Sequence, residues 1–283
     1  MVRSFIILFC CALVFSACDK ITNPIQEGGI GPIDSTIVTR KILLEDLTGH
    51  FCNNCPRAAL VADQIKDIYG DQVIVVGIHA GPITFTEPQS NPDNSYATDF
   101  RTPAGNTYAQ TFNVNTLPSG MVSRTEFNGT RTLGDASWIS AVSEIVGQNA
   151  ILKITFDSLF YEGSTDQLST KIKIEALTEI NGEYKCIIYL LEDGLIDWQL
   201  NSNADPPDVP NYEHGHVLRD NLTGTWGTTI FSGNVEEGTI ANVLVNGFSL
   251  NPIWNMNNGY LVAYVYNELT NEVWQVEEIK IVP

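Results

Sequence analysis

The amino-acid sequence predicts an α/β domain followed by an all-β sandwich domain, and three observations support this prediction. Up to about residue 147, continuous apolar runs alternate with segments of helical spacing, which indicates strands and helices that follow one another. From residue 150 onward, apolar residues recur at every second position, as in strands with one buried face. The chain has 283 residues, 43% of them hydrophobic, which is enough for two domains with their own cores.

The predicted first domain covers residues 40–148. Its elements are expected in the order strand, helix, strand, insertion, helix, strand and helix, at residues 42–46, 56–69, 73–79, 81–103, 104–112, 120–127 and 135–146. In the first helix, Leu60, Ile65 and Ile68 are available to one face. The insertion is longer than an ordinary connection, so it is either a lid over a neighbouring site or a surface loop.

The predicted second domain covers residues 149–283. Seven segments have the two-residue period of strands, at residues 151–160, 168–180, 183–191, 212–220, 239–250, 259–267 and 272–282. Turn residues such as Asn181-Gly182 separate them. This number of short strands, with no helical segments between them, predicts an antiparallel β-sandwich of immunoglobulin-like size.

The N-terminus has the pattern of a lipoprotein signal peptide, which we assign to residues 1–17. Arg3 supplies positive charge, and residues 5–15 form an apolar core that is too short to span a membrane comfortably. Residues 15–18, Phe-Ser-Ala-Cys, look like a bacterial lipobox. Cys18 would then become the first residue and carry acyl chains such as palmitate, which anchor the protein to a bacterial membrane. The alternative is ordinary signal cleavage with an incidental cysteine.

The segment after Cys18 and the overall charge place further bounds on function. Residues 18–39 comprise the expected lipidated cysteine and a flexible tether that is rich in Gly, Pro, Asn and Thr. The formal net charge is −18 with only 15 Lys and Arg residues, so the chain has no basic stripe. Nucleic acid is therefore not an expected partner.

Six cysteines are present, and their positions divide them into groups. Cys10 and Cys11 would leave with the signal peptide, and Cys18 would carry lipid. The three that remain in an oxidising compartment are Cys52, Cys55 and Cys186. A structural zinc site needs a second ligand pair at a suitable spacing, and none is present, so no metal is predicted. Cys186 is expected to be a free core thiol, the alternative being a resolving partner for Cys52.

The Cys52-Asn53-Asn54-Cys55 motif follows a predicted strand and precedes a predicted helix. A cysteine at a helix N-terminus is favoured as the thiolate by the unpaired amides and the positive dipole end. We expect Cys55 to lie one turn inside the helix, where it can close a disulfide with Cys52. The pair is suited to thiol–disulfide exchange; the alternative is a purely structural disulfide.

Further residues around this motif give the chain a resemblance to the thioredoxin superfamily. Asp46 ends the strand before the motif, and Pro118, after Leu117, is in the place for a cis-proline loop facing the sulfurs. The resemblance implies that Asp46 is a buried acid, Cys52 the nucleophile, Cys55 the resolving cysteine and Pro118 the cis-proline. It implies exchange with the thiols and disulfides of envelope proteins, without a cofactor.

Residues 212–219 contain His214-Gly215-His216, and Gly224 follows. In a strand the two imidazoles would share a face, where they are either metal ligands or polar positions packed near Arg219. The segment resembles one shared by the outer membrane protein 28-related lipoproteins. That resemblance implies a thioredoxin-like domain and a C-terminal β-sandwich behind a lipoprotein signal, in a lipid-anchored protein of the Gram-negative outer membrane.

Overall fold

A computed structural model of the chain describes residues 38–282. The predicted signal peptide, Cys18 and the tether up to residue 37 lie outside the described residues. The described residues belong to one compact unit. Within them, no helix is both long enough and apolar enough to cross a membrane.

The first part of the described chain has the predicted order of elements, with one short helix added inside the insertion. These elements are β1 (Ile42–Thr48), α1 (Cys55–Tyr69), β2 (Val73–His79), α2 (Ile83–Thr86), α3 (Pro103–Thr111), β3 (Ser119–Val122) and α4 (Trp138–Ile145). Strand β1 lies between β2, to which it is parallel, and β3, to which it is antiparallel. The prediction made β3 too long, because the chain turns at Ser123 and Arg124, whose φ angles are 47° and 50°.

The second part of the described chain is built of strands. They are β4 (Leu152–Glu162), β5 (Gln167–Ala176), β6 (Ile180–Glu192), β7 (Leu195–Leu200), β8 (Asp208–His214), β9 (Val217–Asn221), β10 (Thr228–Val235), β11 (Ile240–Ser249), β12 (Gly259–Asn267) and β13 (Val273–Lys280). The prediction missed β7 and β10. The turn expected at Asn181-Gly182 is wrong, since both residues lie inside β6, where they pair with β10.

These strands form three sheets among the described residues. A large mixed sheet has the order β13-β12-β6-β9-β2-β1-β3, with β10 paired to β6; a second sheet has the order β11-β5-β4, and β7 and β8 form a separate hairpin. The large sheet takes strands from both sides of residue 148, because β9 lies beside β2, where the Gly77 amide donates to the His216 carbonyl at 2.9 Å. The fold is therefore β-rich with a mixed sheet and a few helices, and the division at residue 148 stays a prediction.

Alternate residues of β6 and β12 point into two different cores. Ile188 and Leu261 pack against the sheet of β4, β5 and β11. Tyr189 and Val262 face the opposite side, where α3 and the first two strands contribute to the core. Cys186 is buried in the first of these cores and is the free cysteine of the described chain, as predicted. Burial raises the pKa of its thiol to about 12.

Helix α1 packs on a third core with a face that includes Ile65, as predicted, but not Leu60 or Ile68. Leu60 is 62% exposed and Ile68 is 61% exposed, whereas Ala58, Ala62 and Ile65 are buried. Two alanines four positions apart lie on one helix face and let the helix approach the sheet closely. The expectation that Leu60 and Ile68 belong to the buried face is therefore wrong.

Candidate functional site

The predicted site begins at the carboxyl end of β1, where a loop of residues 49–54 leads into α1. We call this segment the Cys-x-x-Cys loop. Cys52 and Cys55 form a disulfide, with Cα atoms 5.3 Å apart. Helix α1 begins at Cys55, so this cysteine is the first helical residue and does not lie one turn inside. Pro56 follows at the start of the helix, where its missing N–H leaves no carbonyl unpaired.

Main-chain hydrogen bonds fix the Cys-x-x-Cys loop. The Cys52 amide donates to the Gly49 carbonyl at 2.9 Å, and the Cys55 amide donates to the Cys52 carbonyl at 3.1 Å. Gly49 itself packs tightly, since a Cβ there would lie 2.4 Å from the carbonyl oxygen of Phe85. The loop therefore has one defined shape, and it is set partly by contact with the insertion after β2.

Both cysteines of the pair are buried, Cys52 to 1% and Cys55 to 3% exposure. The β7–β8 hairpin lies against the Cys-x-x-Cys loop. The Leu200 amide donates to the His50 carbonyl at 2.8 Å, and the Ser202 amide donates to the Asn53 carbonyl at 3.0 Å. No local pattern predicts this contact, because β7 has no clear alternation and lies about 145 residues further along the chain than the loop that it touches.

The insertion also contacts the Cys-x-x-Cys loop. Phe51 stacks on Tyr96 with ring centroids 4.2 Å apart. The Phe51 amide donates to the Phe85 carbonyl at 3.0 Å, and a His50 ring nitrogen lies 3.2 Å from the Glu87 carbonyl oxygen. The insertion thus packs beside the disulfide.

Asp46 is buried close to this pair. It is 6% exposed, and its Oδ1 atom has no hydrogen-bond partner within residues 38–282. Burial, and next the negative charge of Asp135, raise the pKa of Asp46 from 3.8 to about 7. Asp46 and Cys55 line the same cavity of about 50 Å³. The carboxyl and the second cysteine therefore border one small cavity, and the carboxyl changes its charge near neutral pH.

Asp46 also lines a larger cleft of about 480 Å³ on the side of α1. Asp63 and Lys66 of α1 form one wall of this cleft, and Tyr212 and His216 lie opposite. Asp46 therefore borders both the small cavity at Cys55 and this larger cleft.

His214 and His216 do not share the face of one strand, contrary to the prediction. Burial lowers the pKa of His214 to about 4, and its ring packs near those of His79 and Phe100. His216 lies in the turn to β9 with a φ of 45°. Burial lowers its pKa, but a hydrogen bond with Asp193 and the nearby Glu278 carboxylate raise it to about 9 overall.

The histidines therefore have opposite charge states, one neutral and one positive. Within residues 38–282, no group of three or more His, Cys, Asp or Glu side chains is arranged to hold a metal ion.

Pro118 lies at the same end of the sheet as the Cys-x-x-Cys loop. The Leu117–Pro118 peptide bond is cis. Because β3 runs antiparallel to β1 and pairs Ser119 with Leu47, Pro118 lies level with the carboxyl end of β1. The fold thus gathers Asp46, both cysteines and Pro118 at one end of β1 and β3, while Cys186 stays in a separate core.

A family model described as outer membrane protein Omp28 matches residues 105–283. This match includes Pro118 and the β-rich part of the chain, but it begins after Asp46, Cys52 and Cys55. Among curated proteins, none matches the sequence.

The solved structures that match the chain have little sequence identity to it. HBP35 of Porphyromonas gingivalis is 16% identical over 86% of this chain and 76% of its own, with a TM-score of 0.62. A protein of Agrobacterium tumefaciens is 12% identical over 86% of this chain and 96% of its own, with a TM-score of 0.51. A domain of the outer membrane lipoprotein Omp28 from Porphyromonas gingivalis is 22% identical over 47% of this chain and 90% of its own, with a TM-score of 0.29.

Proposed function

The chain belongs to the Omp28 family of outer membrane proteins, and we propose that it is a lipid-anchored envelope protein that performs thiol–disulfide exchange. Its anchor is an acylated Cys18, and the tether up to residue 39 separates the folded part from the membrane. Its partners are envelope proteins with thiols or disulfides. The lipobox pattern at residues 15–18 supports the anchor.

In this proposal residues 40–148 are a thioredoxin-like domain and residues 149–283 an immunoglobulin-like sandwich domain. Support for the first comes from β1, which lies between parallel β2 and antiparallel β3, with the cysteines at the start of α1. Support for the second comes from the core between the β11-β5-β4 sheet and one face of β6 and β12.

The exchange reaction begins with the reduced pair. The Cys52 thiolate attacks a substrate disulfide, forms a mixed disulfide and releases one substrate thiolate. Cys55 then gives its proton to the Asp46 carboxylate and attacks the Cys52 sulfur. This second attack releases the other substrate thiolate and closes the Cys52–Cys55 disulfide. A dithiol protein of the envelope must reduce that disulfide again for turnover.

One observation carries this proposal, namely the unpaired carboxyl of Asp46 beside Cys55. A buried carboxyl with an unpaired oxygen destabilises the fold by an amount on the order of 1–3 kcal/mol, whereas an aliphatic side chain would fill the position without that penalty. Its pKa of about 7 lets it both accept and return a proton at neutral pH. Such a group is useful next to a thiol that must ionise, and it has no use beside an inert disulfide.

The test is to trap the mixed disulfide in the full-length protein with a Cys55→Ser variant. After reduction and exposure to a disulfide-bonded model peptide, we expect mass spectrometry to find the peptide attached to Cys52. The matched control is Cys52→Ser, in which Cys55 is expected to react far less. Equal labelling of the two variants, or none in either, would contradict the proposed division of roles.

A second candidate is a binding or scaffold lipoprotein in which the disulfide only stabilises the Cys-x-x-Cys loop. The burial of both cysteines favours it, because a substrate cannot reach Cys52 at 1% exposure. The reduction potential of the pair separates the two candidates, since structural disulfides lie below about −300 mV.

A further inference from the structure

The β7–β8 hairpin is a separate unit of the sheet structure. Within residues 38–282, its two strands pair with each other and with no other strand. Both ends of the hairpin meet at a hydrogen-bonded pair, where the His216 amide donates to Asp193 Oδ1 at 2.8 Å. Gly194, with a φ of 66°, and Gly215 lie just inside that pair. The hairpin can therefore move about its base without breaking the pairing of another sheet.

The hairpin binds the Cys-x-x-Cys loop through two main-chain amides, one at the end of β7 and one in the turn that follows. Leu200 and Ser202 are two positions apart, and their amides donate to His50 and Asn53, on either side of Cys52. Alternate residues of an extended chain present their N–H groups to the same side. The carbonyls that flank Cys52 thus form an acceptor face for an extended chain, and the hairpin occupies that face.

Gln199 adds a side-chain contact at the same place. It is 2% exposed, and its amide nitrogen lies 3.0 Å from the Cys52 carbonyl oxygen and 3.3 Å from that of Gly49. Removing the amide leaves both carbonyls without this donor while the hairpin is closed. The Gly49 and Cys52 carbonyls would still accept from the Cys52 and Cys55 amides, so Gln199 favours the closed position only by the hydrogen bonds that it adds.

The insertion holds the far side of the hairpin. The Tyr96 hydroxyl donates to Asp208 Oδ1 at 2.7 Å, and the Thr98 hydroxyl donates to Asp197. The same Tyr96 ring stacks on Phe51 of the Cys-x-x-Cys loop. The hairpin, the insertion and the loop therefore contact one another, and opening the hairpin breaks contacts to both of its neighbours.

We propose that the β7–β8 hairpin is an internal competitor for the surface on which an extended polypeptide of a client protein binds, and that it must leave before Cys52 reacts. This inference rests on the proposed exchange function. It names the class of substrate and the element that regulates access to Cys52. The recognised groups are main-chain N–H donors, so the client needs an accessible extended segment next to its disulfide. No special side chain is required.

The first experiment measures access to the disulfide in the full-length protein. Reduction by a phosphine is followed by alkylating the released thiols at successive times. Loss of the Gln199 amide in Gln199→Ala should accelerate reduction about tenfold, because one hydrogen-bonding group no longer opposes local opening. The matched control is Gln275→Ala, which removes a buried amide that binds the Thr39 and Leu152 carbonyls, away from the loop. Equal rates in wild type and Gln199→Ala would overturn the inference.

A milder variant keeps the test valid if Gln199→Ala does not fold. Tyr96→Phe removes only the hydroxyl that binds Asp208 and keeps the ring against Phe51. We expect it to accelerate reduction about threefold, as for one partly exposed hydrogen bond. A rate identical to wild type in a folded Tyr96→Phe protein would also count against the competitor role.

The second experiment uses a disulfide-bonded peptide as the client and follows hydrogen exchange at the Leu200 and Ser202 amides. In the reduced Cys55→Ser protein, attachment of the peptide should expose both amides, because it takes their acceptors. Continued protection after attachment would overturn the inference and leave the exchange function standing. A different result is that phosphine reduces Gln199→Ala faster than wild type, but the peptide attaches to Cys52 neither in Cys55→Ser nor in Cys55→Ser combined with Gln199→Ala. That result would contradict the exchange function and, with it, the binding of a client.

Discussion

Glu45 and Asp46 are neighbours on β1, both buried, yet their surroundings differ completely. Glu45 receives two hydrogen bonds from the Arg124 guanidinium, at 2.8 and 2.7 Å, and one from the Tyr189 hydroxyl at 2.8 Å. Asp46 points to the other face of the strand, where its Oδ1 atom has no partner in the described part of the chain. Burial is nearly the same for the two carboxyls, so the presence of a cation makes the difference.

The difference separates a structural role from a chemical one. The Arg124–Glu45 pair connects β1 to β6 and β12, because Arg124 also donates to Tyr264 at 2.9 Å. Burial lowers the pKa of Arg124, but Glu45 and the surrounding tyrosines raise it well above its ordinary value, so it stays charged. Asp46 makes no ion pair within residues 38–282 and can be neutral or charged at physiological pH. A paired carboxylate stabilises this fold, and an unpaired one is available for proton transfer.

The largest expected effect comes from removing the cation that pairs with Glu45. Arg124→Met leaves the Glu45 carboxylate buried without its cation, and we expect the free energy of unfolding to fall by about 3–5 kcal/mol. Urea denaturation monitored by circular dichroism measures this loss. Lys171→Met is the control, because Lys171 pairs with Asp157 at the surface and should lose less than about 1 kcal/mol. Similar losses in the two variants would show that the buried pair is not special.

A second variant tests the unpaired carboxyl, Asp46. The pKa of Asp46 is raised from 3.8 to about 7, so its contribution to stability is complete below pH 3.8 and is lost as pH rises through 7. The Asp46→Asn side chain cannot ionise, so this variant does not lose stability from ionisation at position 46 as pH rises. We expect the variant to gain on wild type with rising pH, by up to about 4 kcal/mol at pH 8.

Thermal or urea unfolding of both proteins between pH 4 and pH 8 measures that gain. Asp63→Asn changes an exposed carboxyl in the same cleft and should show no such trend. A constant difference between wild type and Asp46→Asn across this range would mean that Asp46 is not held neutral by the fold.

A smaller effect is expected from His216, a cation that is itself paired with carboxylates. Its pKa is raised from 6.5 to about 9, so its stabilising contribution is complete below pH 6.5 and is lost as pH rises through 9. Wild type should lose about 1–2 kcal/mol between pH 7 and pH 10, after allowing for solvent screening. Asp193→Asn, which removes a partner, should flatten this loss. An unchanged pH profile in Asp193→Asn would show that the pair at the hairpin base contributes nothing.

The contrast between local and distant contacts explains what the sequence could predict. Asp46, Cys52 and Cys55 lie within one strand–loop–helix unit, so their spacing alone places them at one end of β1. The ion pair of Glu45 with Arg124 spans 79 positions, and no local pattern distinguishes a buried arginine from an exposed one. The β7–β8 hairpin was missed for the same reason. Its residues bind the Cys-x-x-Cys loop across the fold and have little apolar alternation of their own.

The buried face of α1 could not be predicted from residue spacing alone. Leu60 and Ile68 have the spacing of a buried stripe, but Ala58 and Ala62 have it too. Which stripe is buried depends on how closely the helix approaches the sheet. Similarly, the strand period after residue 150 predicted sheets, but it could not show that β9 would join β2 and make one large mixed sheet.

The most direct test of the proposed exchange is the reduction potential of the Cys52–Cys55 pair in the full-length protein. Equilibration with glutathione or dithiothreitol buffers, followed by alkylation and mass spectrometry, gives this value. An exchange protein with Asp46 beside Cys55 should have a potential between about −120 and −270 mV, the range of known exchange proteins. A potential below about −300 mV would contradict the proposal and leave the disulfide as a structural bond.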